Sequence, residues 1–145
     1  METTVRQLLN RKGPEIWSTH PEETVFEALK LMAQKGIGAL LVMDGMRLVG
    51  IFSERDYARK VILKGKSSHE TPVHEIMTAK VVFVHPEQSM TECMALMTDK
   101  RIRHLPVMED DQVVGVISIG DVVKEIIVEQ GFLIEQLENY ITGGR

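Results

Sequence analysis

The chain has 145 residues, 43% apolar and 26% charged, a balance that suits a folded globular protein and excludes wholesale disorder. Seventeen Lys and Arg against 21 Asp and Glu leave a net charge of -4, so no overall positive field recruits nucleic acid or an anionic membrane, and any anion site must be local. No run reaches the roughly 18 apolar residues that span a bilayer, the opening METTVRQLLNRKG lacks a signal-peptide core, and the lone Cys93 allows no internal disulfide, so a cytoplasmic protein is expected.

In chain order, an apolar lead-in, VRQLL at Val5 to Leu9, comes first. Ile16 to Thr19 is a short strand candidate before a His-Pro stop at His20. Thr24 and Glu27 spell a capping box, and Val25, Ala28, Leu29 and Met32 recur at i, i+3, i+4 and i+7, which predicts a helix with one buried face. GALLVM at Gly38 to Met43, a turn at Asp44 and Gly45, and LVGIF at Leu48 to Phe52 predict two strands. A second helix should open after Ser53 and bury Tyr57, Ala58, Val61 and Ile62. The polar run Lys64 to Pro72 reads as a linker.

The series then starts again. VHEIM at Val73 to Met77 is a second lead-in, Val81 to Val84 a second short strand, and Ser89 with Glu92 a second capping box ahead of Met90, Cys93, Met94 and Met97. HLPVM and VVGVI follow as strands around a turn at Glu109 to Asp111, and a helix after Ser118 should bury Val122, Val123, Ile126 and Ile127. Sliding the chain by 65 places superposes His20 to Ile62 on the second copy without a gap, with 16 identities in 43 pairs. The expected fold is α/β (α+β): two strand-helix-strand-strand-helix repeats, residues 1–63 and 73–128, with a linker at 64–72 and a helical extension at 129–145. A unit of about 60 residues hardly buries its own apolar faces, so the copies should pack as a pseudo-twofold pair. In the extension, Leu133, Leu137, Tyr140 and Ile141 share one helical face, a stripe that wants a partner surface.

The duplicated IMT-like lead-in box (Ile76 to Thr78), the HPE turn before a TVFEAL-like helix start, and the late G-h-x-S-x-x-D pattern resemble a tandem pair of cystathionine beta-synthase (CBS) domains, the Bateman module. That pattern is GIFSERD at Gly50 to Asp56 and GVISIGD at Gly115 to Asp121. The resemblance implies a non-enzymatic regulatory module that binds an adenine nucleotide, AMP first and NAD(H) as an alternative, in clefts between the repeats, and signals to a separate protein effector. It implies that an Asp of SxxD holds the ribose diol while strand residues of the other repeat hold the base. One site would pair Thr19, Ile37 and Ala39 with Ser118 and Asp121, and the other Val84, Ile102 and Arg103 with Ser53 and Asp56. It also implies disc-like homodimers.

Each of these residues has a plainer reading. Ser53 with Asp56, and Ser118 with Asp121, have the spacing of a helix N-cap and its third residue, and capping alone would explain them. Gly36, Gly38 and Ala39 of the first copy become Arg101, Arg103 and His104 in the second, while Arg55 becomes Gly120, so the two sites should differ. Arg103, His104 and Arg55 are the phosphate candidates, with Lys12 a weaker one; strand-edge charges in solvent are the alternative. His69 and His74 lack a third metal ligand, Cys93 belongs to an apolar helix face, and no spacing ties Ser, His and Asp into a triad, so neither a metal nor catalysis is expected. Two other classes stay open: a ligand-free structural or interaction module, and a nucleic-acid binder using the arginines, which the acidic balance and the lack of nearby stacking aromatics oppose.

Overall fold

The computed structural model describes residues 2–13 and 15–142. Its elements run in chain order as α1 (Val5–Lys12), β1 (Ser18–Thr19), α2 (Val25–Lys35), β2 (Ala39–Asp44), β3 (Arg47–Ser53), α3 (Glu54–Tyr57), α4 (Met90–Lys100), β4 (His104–Glu109), β5 (Gln112–Ser118) and α5 (Ile119–Ile141). Helix α3 runs on into a π-helical turn, Ala58–Ile62, and a single 3-10 turn covers Val73–Glu75. The α/β class and the order of elements follow the sequence reading. The last three residues of the extension lie outside the described residues.

The contacts divide the chain into two compact units. One comprises residues 15–82 with 110–113; the other comprises residues 1–14, 83–109 and 114–145. Each unit therefore contains the body of one repeat and the lead-in of the other.

In the first of these units β1, β2 and β3 form a sheet in that order, β1 parallel and β3 antiparallel to β2. Leu40, Val42 and Phe52 of the sheet meet Val25, Ala28 and Met32 of α2, and Val73 and Ile76 of the second lead-in complete the same core. Fully burying a side chain of this size is worth roughly 1.5–3 kcal/mol, so the lead-in is an integral layer. Lys64 to Pro72 is a structured segment rather than a loose linker. The N–H groups of Val25 and Phe26 donate to the carbonyls of Thr71 and Ser68, both at 2.9 Å, Thr71 is buried, and His69 stacks on Phe26 with ring centroids 4.1 Å apart. These bonds satisfy amides that the first turn of any helix leaves open.

The other unit repeats the scheme. Strands β4 and β5 pair through a two-residue turn in which Asp110 (φ 52°) and Asp111 (φ 62°) are both left-handed, the conformation that matches strand twist. Met90 donates to the carbonyl of Thr3 at 3.0 Å, as Val25 does to Thr71, and Val5 and Leu8 of α1 are buried as Val73 and Ile76 are.

Three local expectations change. The strand expected at Val81 to Val84 reduces to one parallel bridge, Val84 to Val107. In the first copy Leu41 donates to Trp17 at 3.3 Å, but its counterpart is Pro106, which has no N–H to give. The capping box at Ser89 is complete, whereas at Thr24 only half forms, because the neighbouring Glu23 carboxylate takes the Thr24 N–H at 3.0 Å. Finally, Val61 and Val122 are buried and Tyr57 and Ile126 half-buried, but Ala58, Ile62, Val123 and Ile127 are exposed. The π-helical turn rotates the end of the first helix off the 3.6-residue period, and α5 keeps an apolar face wider than its own core covers.

Candidate functional site

The two SxxD segments fold alike because a strand ends on a serine that can cap the next helix. Ser53 (φ -124°, ψ 164°) and Ser118 (φ -103°, ψ 165°) are extended N-caps of α3 and α5. Each Ser Oγ accepts from the Asp N–H three residues on at 3.2 Å, and each Asp Oδ2 accepts the serine N–H, at 3.0 Å for Asp56 and 2.9 Å for Asp121. The capping role is thus real in both copies. The acidic group at a positive helix end adds a favourable charge.

What holds the rest of each carboxylate differs. Asp56 is buried; its Oδ1 accepts from the Thr78 hydroxyl at 3.2 Å and lies 3.3 Å from the Lys60 ammonium, which also donates to the carbonyl of Ile76 at 3.1 Å. Asp121 is more open, its side chain 28% exposed against 10% for Asp56, and the ammonium of Lys12 donates to its Oδ2 at 2.6 Å and to the carbonyl of Val116 at 2.8 Å. Burial pushes the Asp121 carboxyl up, but the bonds from Lys12 and Ser118 outweigh it and hold the group below the usual carboxylate range. In both units a lead-in residue, Thr78 or Lys12, thus reaches the SxxD aspartate.

The motif glycines explain how the lead-in comes so close. A Cβ on Gly50 would stand 2.5 Å from Met77 Sδ and 3.1 Å from the Thr78 carbonyl, and one on Gly115 would stand 2.5 Å from Leu9 Cδ2. The strand candidates sit near the same helix starts. Ala39 is the register partner of Ser53, the N–H of Glu54 donates to the Gly38 carbonyl at 3.1 Å, and the N–H of Ile119 donates to the Arg103 carbonyl at 2.8 Å. Thr19, Ile37, Ile102 and His104 are half-buried, and Arg55 and Arg103 are exposed. Val84 is fully buried with its N–H and C=O committed to Pro106 and Met108, so packing accounts for it in full.

Sequence reasoning did not find Thr78 and Lys60 and ranked Lys12 low. The available signal was the offset of 68 places between the lead-ins against 65 between the bodies, the three-residue difference marking the lead-in as a separately placed piece. Among the described residues no group of acidic, His or Cys side chains could hold a metal, and no buried side-chain polar atom lacks a hydrogen-bond partner. Cys93 is fully buried, and burial, with Glu92 adding to it, pushes its thiol up to about 11, the state of an inert core cysteine. A cavity of about 290 Å³ along α1, lined by Leu9, Asn10 and Gly13 with Arg6 and Glu109, contains none of the candidates.

A strand pair ending in a capped Ser/Asp helix start, built twice and backed each time by a lead-in, defines a tandem α/β repeat protein. The chain belongs to the CBS domain family, whose model matches residues 5–63 and 73–128, and it is a CBS-pair module of regulatory type. It is 41% identical over 152 residues to the mitochondrial CBS domain-containing protein CBSX3 of Arabidopsis thaliana, covering 98% of this chain and 73% of that protein. A solved protein with CBS domains from Burkholderia ambifaria MC40-6 is 55% identical with a TM-score of 0.85, covering 88% of this chain and 96% of that one. The CBS domain pair of protein MJ0100, solved in complex with 5'-methylthioadenosine and S-adenosyl-L-methionine, is 27% identical with a TM-score of 0.75, covering 84% and 98%. Among the described residues no helix is long and apolar enough to cross a membrane.

Proposed function

We propose that this chain is a non-catalytic sensor that binds an adenine nucleotide, AMP first and NAD(H) as the alternative, and passes occupancy to a separate protein. The observation that carries the reading is the pair of capped Ser/Asp helix starts, each with a carboxylate beside the start of a strand. A carboxylate is the acceptor a ribose diol needs, and charge-assisted hydrogen bonds of this kind are worth roughly 1.5–3 kcal/mol. The adenosine ligands of the MJ0100 pair support it. Thr19, Ile37, Ala39, Ser53, Arg55 and Asp56 are the candidates in one unit, and Ile102, Arg103, His104, Ser118 and Asp121 in the other, with Arg103, His104 and Arg55 toward phosphate. The same proposal includes a homodimer and a cytoplasmic address. The Arabidopsis relative is mitochondrial, so fractionation of the native cell decides the second point.

Calorimetry with dialysed protein tests the binding. AMP, ADP, ATP, NADH and S-adenosyl-L-methionine are titrated in turn, with Asp56→Asn and Asp121→Asn as the variants. Saturable binding weakened by about one to two orders of magnitude in the variants is expected. A ligand at about 100 times its dissociation constant adds roughly 2.7 kcal/mol, a melting shift of about 5–10 °C for a chain of this size. No heat and no shift with any of the five ligands would leave a structural or interaction module as the better reading.

A further inference from the structure

Lys12 is the last residue of α1, and its ammonium is shared between the carboxylate of Asp121 and the carbonyl of Val116. Its position is fixed by the rest of the helix. Val5 and Leu8 are buried, Leu9 lies against Gly115, the Arg11 guanidinium donates to Glu125 at 2.6 Å, and the N–H of Thr3 donates to Glu129. Asp121, Glu125 and Glu129 are successive i, i+4 positions on α5, an acidic ladder along which α1 is fastened. In the other copy the ladder positions are Asp56, Lys60 and Lys64, and the cation at the aspartate comes from the body itself. The Lys12 arrangement therefore belongs to one copy only.

This asymmetry has a chemical consequence for anything that takes Asp121 as a hydrogen-bond acceptor. A neutral diol that displaces the ammonium leaves Lys12 half-covered, at 36% side-chain exposure, with only a carbonyl in place of a carboxylate. Stripping a partner from a partly buried charge is costly. A ligand that brings its own phosphate gives the ammonium a new anionic acceptor at the moment the old one is taken, and the flexible lysine stem lets the charge follow. We propose that Lys12 is the residue that makes the Asp121 site select phosphorylated nucleosides over free ones. This rests on the nucleotide-binding reading above and adds to it which ligands the second copy accepts.

The test is the ratio of AMP to adenosine affinity, by calorimetry, in the wild type, Lys12→Met and Lys12→Arg. Lys12→Met should lower that ratio about tenfold, with AMP binding more weakly and adenosine more tightly, because one charge-assisted bond to phosphate is lost while Asp121 is freed. Lys12→Arg should retain the preference. A second measurement needs no variant: amine acetylation of the wild type, read by mass spectrometry, should show Lys12 more reactive with saturating adenosine than with saturating AMP. An unchanged ratio in Lys12→Met, an equal loss for both ligands, or equal labelling under the two ligands overturns the role of Lys12 while nucleotide binding stands. Failure of the wild type to bind either ligand or any other adenine nucleotide overturns both.

Discussion

Asp121 and Arg101 show how a single residue is tuned by its surroundings. Asp121 titrates below its ordinary value of 3.8. A carboxyl whose folded value is depressed stabilises the fold fully above the unfolded value and loses that contribution as pH falls through the folded one. Acid unfolding should therefore show a contribution below about pH 4 that Asp121→Asn and Lys12→Met each remove. Urea midpoints measured between pH 2 and 7 check this: the variants should be closest to wild type at the acid end and fall furthest behind it at neutral pH. Arg101 ends α4 at φ 56°, ψ 45°, and its counterpart Gly36 ends α2 at φ 65°, ψ 38°. An arginine in the left-handed region gives up roughly 1 kcal/mol that glycine does not. Arg101→Gly should raise the unfolding midpoint by about 2–4 °C in calorimetric scans, and a lower midpoint would mean that the side chain of Arg101 contributes more than its backbone costs.

At the scale of elements, the lead-in is what the motif glycine exists to admit. The close approaches of Leu9 to Gly115 and of Met77 and the Thr78 carbonyl to Gly50 leave no room for a methyl group. The two positions should still respond differently. At Gly115 only the ends of a flexible leucine must move, and Gly115→Ala with Leu9→Ala should recover most of the loss. At Gly50 a backbone carbonyl is also in the way, so Gly50→Ala should destabilise by about 1–3 kcal/mol and gain less from Met77→Ala. Denaturant titrations of the two single and two double variants read this directly. Full recovery at both sites would show that the Thr78 carbonyl moves freely. Helix starts are the second lesson at this scale: the first turns of α2 and α4 each take part of their capping from the segment before a lead-in, through Thr71 and Thr3.

For the molecule as a whole, the exposed face of α5 is the largest apolar feature left without cover. Leu133, Leu137, Tyr140 and Ile141 are 52–83% exposed, on the same helix as exposed Val123 and Ile127. A contiguous face of this kind marks an association site, and a second copy is the simplest closed partner. Sedimentation at micromolar concentration should give a species larger than 16.4 kDa that deletion of residues 132–145 shifts to the monomer. A monomer in both cases would assign the face to another protein.

The sequence by itself determined whatever depends on local chemistry and period. The helical faces of α2 and α4, the hairpins, the Ser53 and Ser118 caps and the burial of Cys93 were legible because capping and amphipathicity are written within a few residues. The CBS family was legible because the same pattern occurs twice. Tertiary structure alone decided which lead-in joins which body, since Val73 and Ile76 are as apolar as Val5 and Leu8 and nothing local labels their destination. It also decided that Lys12 and Thr78 meet the SxxD aspartates, contacts that span 109 and 22 residues. Hydrogen bonds at such separations leave no periodic trace in a chain; they exist because the core first brings the elements together, and only then do the polar groups at their ends find each other.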